Sequence, residues 1–366
     1  MKQNQALYTN RLAAVRKQLA SWDVAGVLIG SPANRRWLSG FTGSNAQLLI
    51  TAEKAIIATD FRYYQQAAIQ APLYTLFKHE RRAEDTAAFI SSAAIPKIGL
   101  EANHTTLEEA QKLKKAAPDV AWVSLPEIVE PLRSIKTAAE IEDIRAAAAI
   151  TDQAMLQVNE IVRPGMTERE LAWKLEKTMR EAGADSMAFP IIVASGANAA
   201  LPHHMTSHRR LQPGDAMIID MGAMVNGYHS DMTRSFFLGN EPTDKFWNVY
   251  KLVLRAQTAV LTTARPGMKN KDIYNIARDT IAQAGHQEHF GHGLGHGVGL
   301  NIHEDPLLSQ RSAEDARIAA GMTLTVEPGV YIPGWGGIRI EDLTLITADG
   351  LTPISRCPKN PIIPIK

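Results

Sequence analysis

The chain has 366 residues, 45% hydrophobic and 21% charged, with 39 Lys+Arg against 38 Asp+Glu and a formal net charge of +1. At roughly 100–200 residues per domain that length predicts two domains, and so even a balance gives no electrostatic reason to expect nucleic acid or an anionic membrane as partner. No apolar run approaches the roughly 20 residues of a spanning helix, the stretch from Met1 to Arg11 lacks the apolar core of a secretory signal, and the single cysteine, Cys357, excludes an internal disulfide and a Cys-based zinc site. A soluble, cytoplasmic protein is expected.

In chain order, short apolar runs at 24–30, 47–50, 55–59, 97–100 and 120–125 predict strands, and 4–21, 63–71, 84–93 and 107–117 predict helices. This alternation implies an α/β domain with a partly parallel sheet. No G-x-G-x-x-G follows the first strand, so nothing supports a dinucleotide site. Pro126 and Pro131 mark a break, after which a long helical pattern runs over 137–162, opened by Thr137 and Glu140 at capping-box spacing. The domain boundary is placed within 126–137, giving domains at 1–130 and 131–366.

The second domain carries an internal repeat. Arg163-Pro164-Gly165-Met166 recurs as Arg265-Pro266-Gly267-Met268, each copy following one helical pattern and opening another. Those second helices stop at Ala182-Gly183 and Ala284-Gly285, so both glycine-to-glycine spacings are 18 residues; glycine suits the left-handed position after a helix. Farther on, the segment from Gly214 to Gly222 aligns with that from Gly321 to Gly329 and sets Asp220 opposite Glu327, each ending an apolar strand. Two halves related by a pseudo-twofold would bring equivalent carboxylates together at the axis.

Asn226-Gly227 between two such runs is a signal for a two-residue type I′ hairpin. With that loop Asp220 faces Thr233, and side-chain alternation puts Asp231 on the same face, with Cβ atoms roughly 7 Å from those of Asp220. Glu327 and Glu341 flank a Gly/Pro-rich turn over 332–337 and face each other if the loop centres on Gly334. Four converging carboxylates resist desolvation and repel one another; two divalent cations neutralise them, and oxygen-rich ligation suits Mn²⁺, Mg²⁺ or Co²⁺. Solvated carboxylates on separate surface hairpins are the alternative.

Nine of the 11 histidines lie between His203 and His303. Glycine fills every odd position from 291 to 299, which disfavours a helix and lets backbone crowd a neighbour. In extended conformation His292 and His296 share a side about 13 Å apart at roughly 3.3 Å per residue, so one serves as ligand and the other either supports the ligands from behind or contacts substrate; His303 follows from the next loop. In the first half His203 or His204 faces the site, while His208 points to solvent. Thr233 is a candidate partner of the carboxylates, and Arg339, two residues from Glu341, pairs with a ligand, a substrate carboxylate or a structural acid.

These residues together resemble the pita-bread metallopeptidases: prolidase, aminopeptidase P, methionine aminopeptidase and the related non-metal creatinase. The resemblance implies an α/β creatinase-like N-terminal domain and an α+β pita-bread catalytic domain with an internal pseudo-twofold. It matches Asp220, Asp231, His296, Glu327 and Glu341 to the ligands of a dinuclear centre holding two divalent ions, manganese first and cobalt or zinc as alternatives. It matches His203, His292 and His303 to substrate-site histidines, and Tyr331 and Arg339 to substrate-binding positions. The extra N-terminal domain argues against methionine aminopeptidase, and the full ligand set against creatinase. Trp37 to Ser44 and Thr59 to Tyr64 look like aminopeptidase P. The implied activity is Xaa-Pro aminopeptidase action on peptides with proline second, with Glu327 as general base and His292 and His303 orienting the scissile carbonyl. Xaa-Pro dipeptidase is the alternative, a non-catalytic binding module the other. A homodimer, with no nucleic-acid or membrane partner, is implied.

Overall fold

The apolar runs of the first third build one six-stranded mixed sheet in the computed structural model, which describes residues 2–80, 82 and 84–365. Gly26–Ile29 is central. It pairs antiparallel with Gln47–Thr51 and parallel with Lys97–Glu101, and Ala121–Leu125 extends the parallel side. The other side runs through Ala55–Thr59 to the edge strand Thr75–Lys78. The central strands are buried on both faces, as uninterrupted apolar runs require. Leu28, Leu49, Phe89, Ile98 and Leu113 form part of the core between sheet and helices. Among the elements that escape the sequence patterns, two have evident causes. The helix Pro32–Ser39 is started by a proline, which tolerates a first helical turn, and ended by left-handed Gly40. The strand Thr75–Lys78 lies at the sheet edge and is half-buried only in its middle, which leaves no long apolar run.

Two compact units divide the chain, Met1–Arg133 and Ser134–Lys366. In the second, Thr137 caps the helix Ala138–Leu156: the Thr137 amide donates to Glu140 Oε2 at 2.7 Å, and the Glu140 amide returns to Thr137 Oγ1. The helix ends earlier than the pattern suggests, breaking at Gln157 before the short Val158–Ile161.

The repeat is a structural duplication. Each Arg-Pro-Gly-Met loop places its glycine in the left-handed region, Gly165 at φ 85° and Gly267 at φ 87°. Their amides donate to Leu211 O and Ile318 O, both at 2.8 Å, and their carbonyls accept from Arg210 and Arg317, both at 2.7 Å. The following helices, Glu168–Glu181 and Asn270–Gln283, have equal length. Each half packs helices on strands through its own core, one including Leu171, Leu175, Met217 and Ile219, the other Val253, Ile273, Leu324 and Val326. The halves are stitched where Met232–Leu238 meets the segment around Arg339. Ser235 Oγ donates to Arg339 O and accepts from the Arg339 amide, and the Glu341 amide donates to Thr233 O. An α/β unit built on one mixed sheet is thus followed by an internally duplicated α+β unit. Among the described residues no helix is long and apolar enough to cross a membrane.

Losing a Thr cap exposes an unsatisfied helix amide, at a cost of about 1 kcal/mol. Thr137→Ala should therefore lower the urea unfolding midpoint of the intact protein; an unchanged midpoint would show that the capping box is idle.

Candidate metal centre

Strand register brings the four carboxylates together. Asn226 and Gly227 both take positive φ, as a type I′ turn requires, and the pairs Val225–Tyr228 and Asp220–Thr233 keep one register through the hairpin. Asp231 then lies on the face of Asp220. In the second half Gly329 pairs with Arg339 and Ile332 with Gly336, so the turn centres on Gly334, while Val326 pairs with Asp342 on the far side. That register sets Glu327 across from Glu341. Asp231 and Glu341 are buried, and Asp220 and Glu327 are partly so.

His296 completes the cluster through the glycine-rich segment. Gly295–Gly297 is a short strand in which a Cβ on Gly295 would stand 1.9 Å from Thr325 O, and one on Gly297 2.1 Å from Asp305 O. Glycine is needed there because neighbouring backbone occupies the side-chain space. The His296 amide donates to Thr325 Oγ1 at 3.0 Å, and the Thr325 hydroxyl donates on to Glu327 Oε1. Since Gly297 O can only accept, His296 Nδ1 carries the proton of their 3.0 Å bond and Nε2 presents its lone pair. That lone pair faces Asp231 Oδ2 at 3.5 Å and Glu327 Oε1 at 3.4 Å. Burial lowers the imidazole pKa to about 4, so the ring is neutral near pH 7.

Arg339 anchors the other side. It is buried and donates to Asp220 Oδ2 at 2.6 Å, Tyr331 OH at 3.0 Å, Thr233 Oγ1 at 3.1 Å and Pro202 O at 3.2 Å. Because Arg339 can only donate to it, Thr233 spends its own proton on Glu341 Oε2 at 2.8 Å. His292 gives its Nδ1 proton to Gly293 O and accepts from Tyr331 OH at Nε2, 2.9 Å away. His292 thus joins the site through Tyr331. His303 packs its ring edge-on to that of His296 at 4.3 Å and is exposed, as is His203. Burial and then the Arg339 charge lower the His292 pKa, with His203 adding to them, and burial followed by His203 lowers that of His303. His204 turns away to Glu168, and exposed His208 pairs with Arg169.

One guanidinium does not balance this many acids. Burial, then repulsion by Glu341, Asp220 and Glu327, holds the Asp231 pKa well above the carboxylate range. Burial, then Glu327 and Asp220, does the same to Glu341, and burial pushes Glu327 to about 8. Asp220 Oδ1 and Glu341 Oε1 are buried and accept no hydrogen bond. Donor atoms of Asp231, His296 and Glu341 lie within 4.8 Å of one another, a spacing that fits ligands about 2 Å from one ion. Unpaired carboxylate oxygens beside a neutral imidazole lone pair are the donor set a divalent cation takes. Thr325 went unnoticed in the sequence although it precedes Glu327 by two residues on the same strand face. Glu168 gave no signal beyond its place at a helix start.

The sequence pattern of metallopeptidase family M24 matches residues 142–348, and that of the creatinase/prolidase N-terminal domain matches 11–135. An Xaa-Pro dipeptidase of Pyrococcus horikoshii is 37% identical over 330 residues, 89% of this chain and 91% of the relative. Among solved structures, an Xaa-Pro dipeptidase from Bacillus anthracis superposes with a TM-score of 0.94 at 38% identity, covering 97% of this chain and 99% of that one. An X-Pro aminopeptidase from Thermotoga maritima gives 0.86 at 33%, covering 95% and 100%.

A carboxyl whose pKa is raised by folding binds more protons folded than unfolded, so its contribution to stability is full below its unfolded value and lost as pH rises. For Glu327 that window runs from 4.5 to about 8. Chelator-stripped protein should therefore fall progressively further below metal-loaded protein in Tm between about pH 5 and pH 8.5. A gap independent of pH would mean that these acids are not crowded in solution.

Proposed function

Because the chain belongs to metallopeptidase family M24, we propose that it is an Xaa-Pro aminopeptidase, releasing the residue that precedes proline at a peptide's amino terminus. It is a hydrolase of Xaa-Pro bonds and uses divalent metal ions. The observation that carries the reading is the buried cluster of Asp220, Asp231, His296, Glu327 and Glu341 with its unpaired oxygens. In this reading the five residues hold two ions, manganese first. When bound, such ions acidify a water molecule and polarise the scissile carbonyl.

The remaining work falls to the chain. Glu327, less buried than Asp231 or Glu341, is the carboxylate placed to accept a proton from attacking water and return it to the leaving proline nitrogen. His203 and His303, exposed beside the acids, meet the substrate and donate toward the oxygen that gains charge. His292 fixes the Tyr331 hydroxyl, and Arg339 fixes both Tyr331 and Asp220. Asp231 receives the free amino terminus. Proline offers no amide N–H, so its ring is selected by shape.

Arg339 commits four of its five N–H donors to Asp220, Tyr331, Thr233 and Pro202 O, and one N–H on Nη2 remains for a substrate group. The names of the Pyrococcus and Bacillus anthracis proteins favour the second reading, Xaa-Pro dipeptidase. A homodimer is part of the proposal, supported by Phe61 and Ile69, each 78% exposed on the N-terminal unit; so is a cytoplasmic location.

Manganese-restored enzyme should release the first residue of an Xaa-Pro-Yaa tripeptide; cleavage confined to Xaa-Pro dipeptides would establish the dipeptidase instead. Asp231→Ala or Glu341→Ala should cut kcat/KM by more than about 100-fold, beyond what losing a ligand's supporting partner costs. Wild-type turnover in either variant would refute the ligand assignment.

A further inference from the structure

The segments that carry His203 and His303 are each fastened from the same place in the duplicated architecture. Glu168 and Asn270 are the first residues of the equivalent helices, three positions after Gly165 and Gly267. Their amides make equivalent bonds, Glu168 to Arg209 O and Asn270 to Ala316 O, both at 3.0 Å. Both residues are buried, Glu168 completely.

Their side chains reach different partners with one result. Glu168 Oε1 accepts from the Ser195 amide (2.9 Å), Ser195 Oγ (2.7 Å) and Asn198 Nδ2 (3.0 Å). Its Oε2 accepts from His204 Nε2 (2.8 Å), the Ser207 amide (3.0 Å) and Ser207 Oγ (2.6 Å). Burial alone would raise this carboxyl's pKa, but the bonds from Ser207, His204, Asn198 and Ser195 hold it at about 2. His203 therefore stands between two fixed neighbours: His204 bound to Glu168, and Pro202, whose carbonyl accepts from Arg339. In the other half, Asn270 Nδ2 donates to Leu307 O at 3.1 Å. Leu307 lies in the strand Glu304–Leu308, which begins immediately after His303.

We propose that Glu168 and Asn270 are repeat-equivalent positioning residues that fix the segments carrying His203 and His303 for catalysis. Neither residue touches substrate; each acts through a histidine. The kinetic part of this inference rests on the Xaa-Pro peptidase reading, whereas the clamp itself does not.

Two measurements separate these parts. Hydrogen exchange by mass spectrometry on the full-length metal-loaded protein should show faster exchange over 195–209 in Glu168→Gln and over 303–308 in Asn270→Ala, with the strand Met232–Leu238 as protected as in wild type. Ser207→Ala, which removes one donor, should give a smaller change over 195–209 and serves if Glu168→Gln does not fold. Kinetically, each clamp variant should lose about tenfold or more in kcat, as misplacement of a catalytic group does, with KM within about twofold and metal content unchanged. In a His203→Ala background Glu168→Gln should cost nothing further, and likewise Asn270→Ala in His303→Ala. Unchanged exchange in the local segments overturns the clamp. Losses that simply multiply in the double variants overturn the positioning role. Should wild-type enzyme fail to cleave Xaa-Pro peptides, the functional reading falls, and exchange alone upholds or overturns the clamp.

Discussion

Like charges crowded away from water are the constraint around which the catalytic unit is organised. Asp231 and Glu341 are buried, Asp220 and Glu327 are largely so, and Arg339 is the cation set against them. Desolvation disfavours each charged form, and mutual repulsion adds to it. The supporting hydrogen bonds leave specific oxygens unused: Thr233 reaches one oxygen of Glu341, and Arg339 one of Asp220. A core that wanted only stability would replace such groups with apolar ones. Their retention, with a neutral imidazole aimed among them, makes sense when cations complete the arrangement.

Duplication explains how one chain assembles so demanding a cluster. Each half contributes a strand ending in a carboxylate and a return strand bearing a second one, and each half has its own apolar core to hold that hairpin. Threonine hydroxyls beside the ligands carry hydrogen bonds in a fixed direction. Thr233 is compelled by Arg339 to donate to Glu341, and Thr325 accepts from the His296 amide while donating to Glu327. Orientation is thus set by groups that have no alternative donor or acceptor state, which suits ligands that must not wander.

Much of this was legible in the sequence, because the informative signals are short-range and tied to backbone geometry. Asn226-Gly227 specifies a turn, the turn specifies a register, and the register places Asp220 against Thr233 and Asp231 on the same face. The glycines around His296 announced close backbone approach, which Thr325 O and Asp305 O supply. The centring of the second turn on Gly334 needed the structure, since adjacent glycines permit more than one register. Partners distant in sequence were hidden for the same reason. Nothing local says that Arg339 reaches Pro202, that Tyr331 occupies His292 Nε2, or that Glu168 gathers Ser195, Asn198, His204 and Ser207. In the N-terminal unit, the edge strand Thr75–Lys78 lacked the apolar run that reveals its central neighbours.

The decisive measurement is anomalous X-ray scattering from crystals of the full-length protein grown with manganese. Two strong peaks bounded by Asp220, Asp231, His296, Glu327 and Glu341 are expected. Density free of anomalous signal among those side chains, at saturating manganese, would contradict the claim that cations complete this buried acidic cluster.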